Sequence, residues 1–159
     1  MQRPATYLTN EKREHMNEAV RQALQQAQLY SDGIDYSVIK LPARAITVAA
    51  GIIAEIGEAF CTLIVDKDEV SLILPAEAID DFANRLKDHR ASPVPYRLIT
   101  FDLELDFNIF GFMAEVSKVL AEAKVPILPI AAFSRDHILV PSSQFDIALK
   151  ALQKLQSTI

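Results

Sequence analysis

One cysteine, four glycines and three histidines are all this chain has of the residues that most often carry covalent, phosphate and metal chemistry. The lone Cys61 cannot form an internal disulfide, and its place in the apolar run AFCTLIV predicts a buried strand residue rather than a reactive thiol. The glycines are never spaced as GxGxxG, nor as the GxxxxGK of a phosphate loop, so no Gly-rich cradle exists. His15, His89 and His137 lie in separate segments, and neither HxxxH nor CxxC occurs; no metal and no cofactor is expected. Basic runs are missing too. Lys12-Arg13 sits between Glu11 and Glu14, and the net charge is −5, which disfavours a nucleic-acid partner. No apolar run reaches the roughly 18 residues of a membrane span, and the N-terminus lacks the apolar core of a secretory signal. A cytoplasmic protein is the expectation.

What the chain does have is apolar content and a repeat. Half of its 159 residues are hydrophobic and 23% are charged, enough for one ordinary domain or two small ones. Residues 69–86, EVSLILPAEAIDDFANRL, read as strand, proline, helix. Residues 135–152, RDHILVPSSQFDIALKAL, read the same way, 66 positions on (Leu74 against Val140). Pro75 falls on Pro141, Asp80 on Asp146 and Leu86 on Leu152. Such a repeat implies two copies of one unit and argues against a single catalytic cleft.

Periodicity supplies the remaining elements. Residues 11–29 predict a helix with Asn10 as N-cap and an alanine-rich stripe, suited to packing on this chain or on a partner subunit. IDYSVIKL (34–41) predicts a strand, 43–58 a helix, and 59–65 with 69–74 a hairpin. Residues 76–87 predict an amphipathic helix, and DHRASPVP (88–95) a break between units. The second unit then reads as strand (96–105), loop, helix (111–124), strand (125–133), strand (137–140) and a final helix. Pro126 and Pro129 mark strand 125–133 as an edge or a bulge. Each unit thus reads as a ferredoxin-like βαββα, an α+β fold with helices on one face of an antiparallel sheet. The fourth strand of each is missing, which predicts strands shared between units or between chains. The domains are expected at 1–30 (an N-terminal extension with a helix), 31–91 and 92–159.

The stretches DLELDFNIFGFMAEVSKVLAEAKVPI and IAAFSRDHILVPSSQFDIALKAL carry a family resemblance. An acidic strand end, a glycine opening a helix and a late apolar strand resemble an ACT domain. The turn and strand FSRDHILV, with LILPAE echoing it in the first unit, are similar to tandem ACT proteins. Those include the cytosolic arginine sensors and their small bacterial relatives, which usually have tyrosine where this chain has His137. The resemblance covers roughly residues 34–156 and is weaker in the first unit. It implies an amino-acid-binding regulatory protein, often a homodimer, with the ligand at an interface near the first strand–helix loop.

The residues of that loop suit the role. A helix N-terminus offers unpaired N–H groups to a carboxylate, and Gly111, lacking Cβ, lets a ligand or a neighbouring backbone come close. Asp102, Glu104 and Asp106 alternate along the strand, either as a solvated face or as acceptors for an ammonium or guanidinium group. The candidate ligand-binding residues are Asp106, Phe107, Asn108, Ile109, Phe110 and Gly111, with Ser134 and Asp136 from the facing turn. No catalytic residue is assigned: Asp136 and His137 are strand neighbours that point to opposite faces, and Ser142-Ser143 read as N-caps. The function expected is therefore a small-molecule sensor, acting on an unidentified regulated protein. The alternative is an ACT-fold interaction or scaffold protein that dimerises without a ligand. A ferredoxin-like enzyme ranks third.

Overall fold

The computed structural model describes residues 16–57 and 59–159. Asn10 and the first part of the expected helix 11–29 lie outside these. The helix observed, α1, is Glu18–Gln26, with Asn17 as its N-cap: the Asn17 side chain accepts from the Ala19 N–H at 2.9 Å. Its Val20, Ala23 and Leu24 are buried against two later helices of this same chain. Gln156 closes its end, donating to the carbonyls of Leu24 and Ala27 at 2.7 Å each.

Gln28 and Leu29 do not continue α1 as expected. Gln28–Tyr30 form β1. Then come β2 (Asp35–Pro42), α2 (Ile46–Ile56), β3 (Thr62–Val65), β4 (Glu69–Pro75), the short α3 (Ala78–Asp81) and β5 (Arg90–Ala91). The second half is β6 (Tyr96–Asp102), α4 (Phe112–Glu122), β7 (Leu128–Ala131), β8 (Asp136–Pro141) and α5 (Phe145–Thr158). The helix expected over 76–87 is cut to one turn. Asp80, Asp81 and Asn84 are poor helix formers, and the backbone beyond Phe82 continues in turns such as Arg85 N–H to Phe82 O at 2.8 Å.

All these strands join one eight-stranded antiparallel sheet, ordered β3-β4-β2-β6-β8-β7, with β1 added to β6 and β5 to β2. The missing fourth strands are found here. Arg90–Ala91, inside the expected break 88–95, pair with Lys40 and Ile39 and complete the order β3-β4-β2-β5. Gln28–Tyr30 pair with Asp102–Thr100 and complete β7-β8-β6-β1. Between those pairings, Asp35 and Tyr36 meet Arg97 and Tyr96 directly. Segments 28–42 and 90–102 therefore run antiparallel side by side, each interrupted by a loop, and each serves both halves. The strand expected over 125–133 is shortened to β7, which holds Pro129 but not Pro126, and it is an edge strand, one of the two outcomes read from the prolines.

Residues in register share a face. Ile39, Leu41, Val70, Leu72 and Leu74 pack beneath α2, with Ala49 and Ile52. Ile99, Phe101, Ile138 and Val140 pack beneath α1, α4 and α5, with Val116, Leu120 and Leu152. The registers Asp35–Arg97 and Arg97–Val140 put both sets on one face. Each such apolar side chain withdrawn from water contributes about 1.5–3 kcal/mol. Among the described residues no helix covers the other face, which carries a small cluster of Tyr36, Ile73, Leu98 and Leu139, against which Phe60 packs.

The halves are also joined on the helix side. Asp35 Oδ1 accepts from Ser142 Oγ at 2.7 Å and from Arg97 Nε at 3.1 Å. The Ser142 hydrogen bond is the main influence holding the Asp35 carboxyl below its usual range, ahead of Arg97. Ser142 is thus spent on this bridge rather than on the N-cap read from the sequence.

Candidate ligand-binding site

Three of the strand ends that lead into a helix are built alike. Pro42, Pro75 and Pro141 each end a strand, and each is followed by a short turn and a helix. A fixed φ and a missing N–H make proline a compact exit from a strand. The junction β6–α4 lacks it. Residues 103–111 instead form a long loop, pinned to the facing turn by Leu105 N–H to Ser134 O at 2.8 Å.

A cavity of about 180 Å3 lies between this loop and the turn. Asp106, Phe107, Ile109, Ser134 and Asp136 line it, five of the residues expected at a site. Arg135, Phe112 and Phe133 also line it and were not expected there. Arg135 lies in the FSRD turn next to Asp136, Phe112 in the helix expected over 111–124 and Phe133 in the strand expected over 125–133.

The other expected residues are placed differently. Asn108 folds back on Asp106: its N–H and Nδ2 both donate to Asp106 Oδ1, at 2.8 and 2.9 Å. This is an Asx turn, and it sets the loop's shape. Phe110 and Gly111 line a different cleft, with Met16, Asn17 and Val20 beside α1. Gly111 has φ 92° and ψ −3°, the left-handed region, at the N-cap of α4. A Cβ there would come no nearer than 4.0 Å to Val20 Cγ2. Its glycine is therefore required by backbone conformation, and close approach of a ligand is not needed to explain it.

The acidic row was expected to run along a strand to Asp106. It stops early, because β6 ends at Asp102. Asp102 accepts from Arg135 Nε at 2.6 Å. Asp136 is partly buried in the cavity wall, and burial raises its carboxyl pKa against the opposing pull of His137. His137 opens into a separate cavity. Its Nδ1 lies 2.9 Å from the hydroxyl of buried Thr100, and its ring lies 5.1 Å from that of Phe60. Burial lowers its pKa, with Asp136 opposing and Arg135 adding to the fall. No proton relay joins the pair, as strand alternation predicts. Cys61 is half-buried just ahead of β3, and burial raises its thiol pKa.

The cavity thus holds charge of both signs against apolar walls. α4 has no side-chain cap, so the amides of its first turn are left to other partners. Around the mouth, Phe107 and Phe133 meet edge to face at 5.0 Å, 75% and 80% exposed. Among the described residues no helix is long and apolar enough to cross a membrane.

Comparison with solved structures identifies the fold. A protein of unknown function from Vibrio cholerae is similar at TM-score 0.66 and 20% identity, over 87% of this chain and 96% of that one. A protein from Agrobacterium tumefaciens matches at TM-score 0.61 and 21% identity, over 77% and 83%. The regulatory subunit of aspartate kinase from Thermus flavus matches at TM-score 0.59 and 14% identity, over 81% and 97%. The α+β arrangement of antiparallel sheet and helices is thus that of known regulatory subunits. Within it, residues 92–154, which carry the loop and its cavity, match the family model of the ACT domain.

Proposed function

We propose that this chain is a regulatory protein of two tandem ACT units that binds an amino acid in the cavity between loop 103–111 and the turn at 132–135. The observation that carries this is the junction β6–α4. It is the strand-to-helix exit without the proline turn, and a cavity of about 180 Å3 takes the space. That is smaller than the roughly 300–1,000 Å3 typical of drug-sized ligands and suits a small metabolite. A zwitterion matches the charges. Its carboxylate would meet the uncapped first turn of α4 or Arg135. Its ammonium would meet Asp136 and the second oxygen of Asp106. The exposed Phe107 and Phe133 beside the cavity favour a homodimer contact there. We place the protein in the cytoplasm, where a regulated partner would read the ligand state.

The test is thermal stability against the twenty amino acids. A ligand held at about 100 times its Kd adds roughly 2.7 kcal/mol. Asp136→Asn should weaken the response of any amino acid that stabilises, without unfolding the chain. If no amino acid raises the melting temperature while the protein is a dimer by light scattering, the scaffold reading replaces this one.

A further inference from the structure

The sheet face opposite the described helices holds a second cavity, of about 370 Å3, where the two halves meet. Its floor is Leu98 and Thr100, both buried. Phe60 lines it from the first half, Tyr30 from the start of the central strand pair, and Asp32 just after it, with both carboxylate oxygens already accepting, from the Ile34 N–H and from the Tyr36 hydroxyl. Phe60 is held in place by its own neighbours, edge to face with Tyr36 at 5.9 Å and tilted on His137 at 5.1 Å. At one end stand Arg135 and Asp102. Only Arg135 Nε is used in their contact, so among the described residues its two terminal amino groups have no partner. Burial holds the His137 pKa below its ordinary value, and Nε2 has no hydrogen-bond partner among the described residues.

We propose that this cavity binds a small aromatic carboxylate, with its ring on Leu98 against Phe60 and Tyr30 and its carboxylate on the free fork of Arg135. The chemistry follows from the walls. Leu98 between the aromatic sides of Phe60 and Tyr30 selects a flat ring. A guanidinium with two unused amino groups selects a planar anion, which it can grip at two points. The volume is near the lower end of small-ligand pockets. The second oxygen of Asp102 would receive the ammonium where the ligand is an aromatic amino acid. This site lies on a different face from the loop cavity and shares with it only Arg135. Because its walls come from both halves, occupancy ties Phe60 to β6 and β8.

The chain has no tryptophan, so indole emission reports a bound probe without protein background. Indole-3-propionate, L-tryptophan and tryptamine are titrated with the full chain. The first two should bind saturably, one per chain, and tryptamine, lacking the carboxylate, at least about tenfold more weakly. L-Tryptophan binding more tightly than indole-3-propionate would assign the site to an amino acid; the reverse order would assign it to a simple aryl carboxylate. Phe60→Ala and Tyr30→Ala should each weaken binding about tenfold or more. Tyr30 is 54% exposed, so its removal leaves the core intact even if Phe60→Ala does not fold. Absence of saturable binding up to about 10 mM overturns the proposal. So does binding that persists in Tyr30→Ala, or tryptamine binding equal to the acids. Neither variant touches the loop cavity, so the amino-acid melting response in Tyr30→Ala reads the earlier proposal separately.

Discussion

Gly111→Ala separates two reasons for a glycine at the head of α4. If glycine is there for backbone conformation, the cost is that of a left-handed L-residue, about 1–2 kcal/mol. At φ 92° this penalty applies in full. The added methyl meets Val20 Cγ2 at 4.0 Å, an ordinary contact, so packing adds nothing. Alanine also stiffens the unfolded chain, which offsets part of the penalty by about 0.4–1 kcal/mol. The net is a destabilisation of about 1 kcal/mol, or about 2–4 °C in melting temperature for a chain of this size. Urea titration should show a lower midpoint at unchanged slope. Gly111→Asn should lose less than Gly111→Ala, because asparagine tolerates the left-handed region. Alanine as stable as wild type refutes the conformational argument. Asparagine worse than alanine refutes it as well, and restores close approach as the reason for the glycine.

Two further outcomes are expected. His137 has a folded-state pKa below its ordinary 6.5, so its contribution is complete above that pH. It is lost as pH falls from 6.5 through the folded value. The partly buried Asp136 works the other way: its raised pKa helps the fold at low pH, and that help is lost as pH rises through the folded value. Thermal melts from about pH 8 to about pH 5 should decline in the wild type and flatten in His137→Asn; an equal slope in both denies the histidine a role. For the bridge between halves, a double-mutant cycle of Asp35→Ala and Ser142→Ala should give a coupling of about 0.5–1 kcal/mol, reduced from a buried bond by the exposure of Asp35. Strict additivity would mean that the 2.7 Å contact contributes nothing to joining the halves.

Much of the fold was legible because apolar spacing is local. The hairpin Thr62–Val65 with Glu69–Pro75 follows from two apolar runs about a polar turn, and α5 from a three-and-four spacing after Pro141. Elements too short to have a period were not. Arg90–Ala91 is a strand only because β2 offers an unpaired edge beside it, and nothing in DHRASPVP signals that. Gln28–Tyr30 continue a helical composition yet pair with β6, where ladder hydrogen bonds outweigh a weak helical preference. The loop cavity divides similarly. The FNIFG and FSRD turns were visible as turns, but that Asn108 serves Asp106 and that Gly111 faces Val20 depend on how the loop folds back.

The sequence by itself determined the α+β class, the strand-proline-helix repeat, the proline of the β7 edge and the place of the long loop. Each of these is written in neighbouring residues. Only the tertiary structure decided how the two halves of the sheet close. Their fourth strands come from residues far apart in the chain, because an open sheet edge pairs with whatever backbone the fold brings to it. For the same reason the cavity over Leu98 could not be read in advance. Tyr30, Phe60 and Arg135 have no relation in sequence, and a shared sheet makes them neighbours.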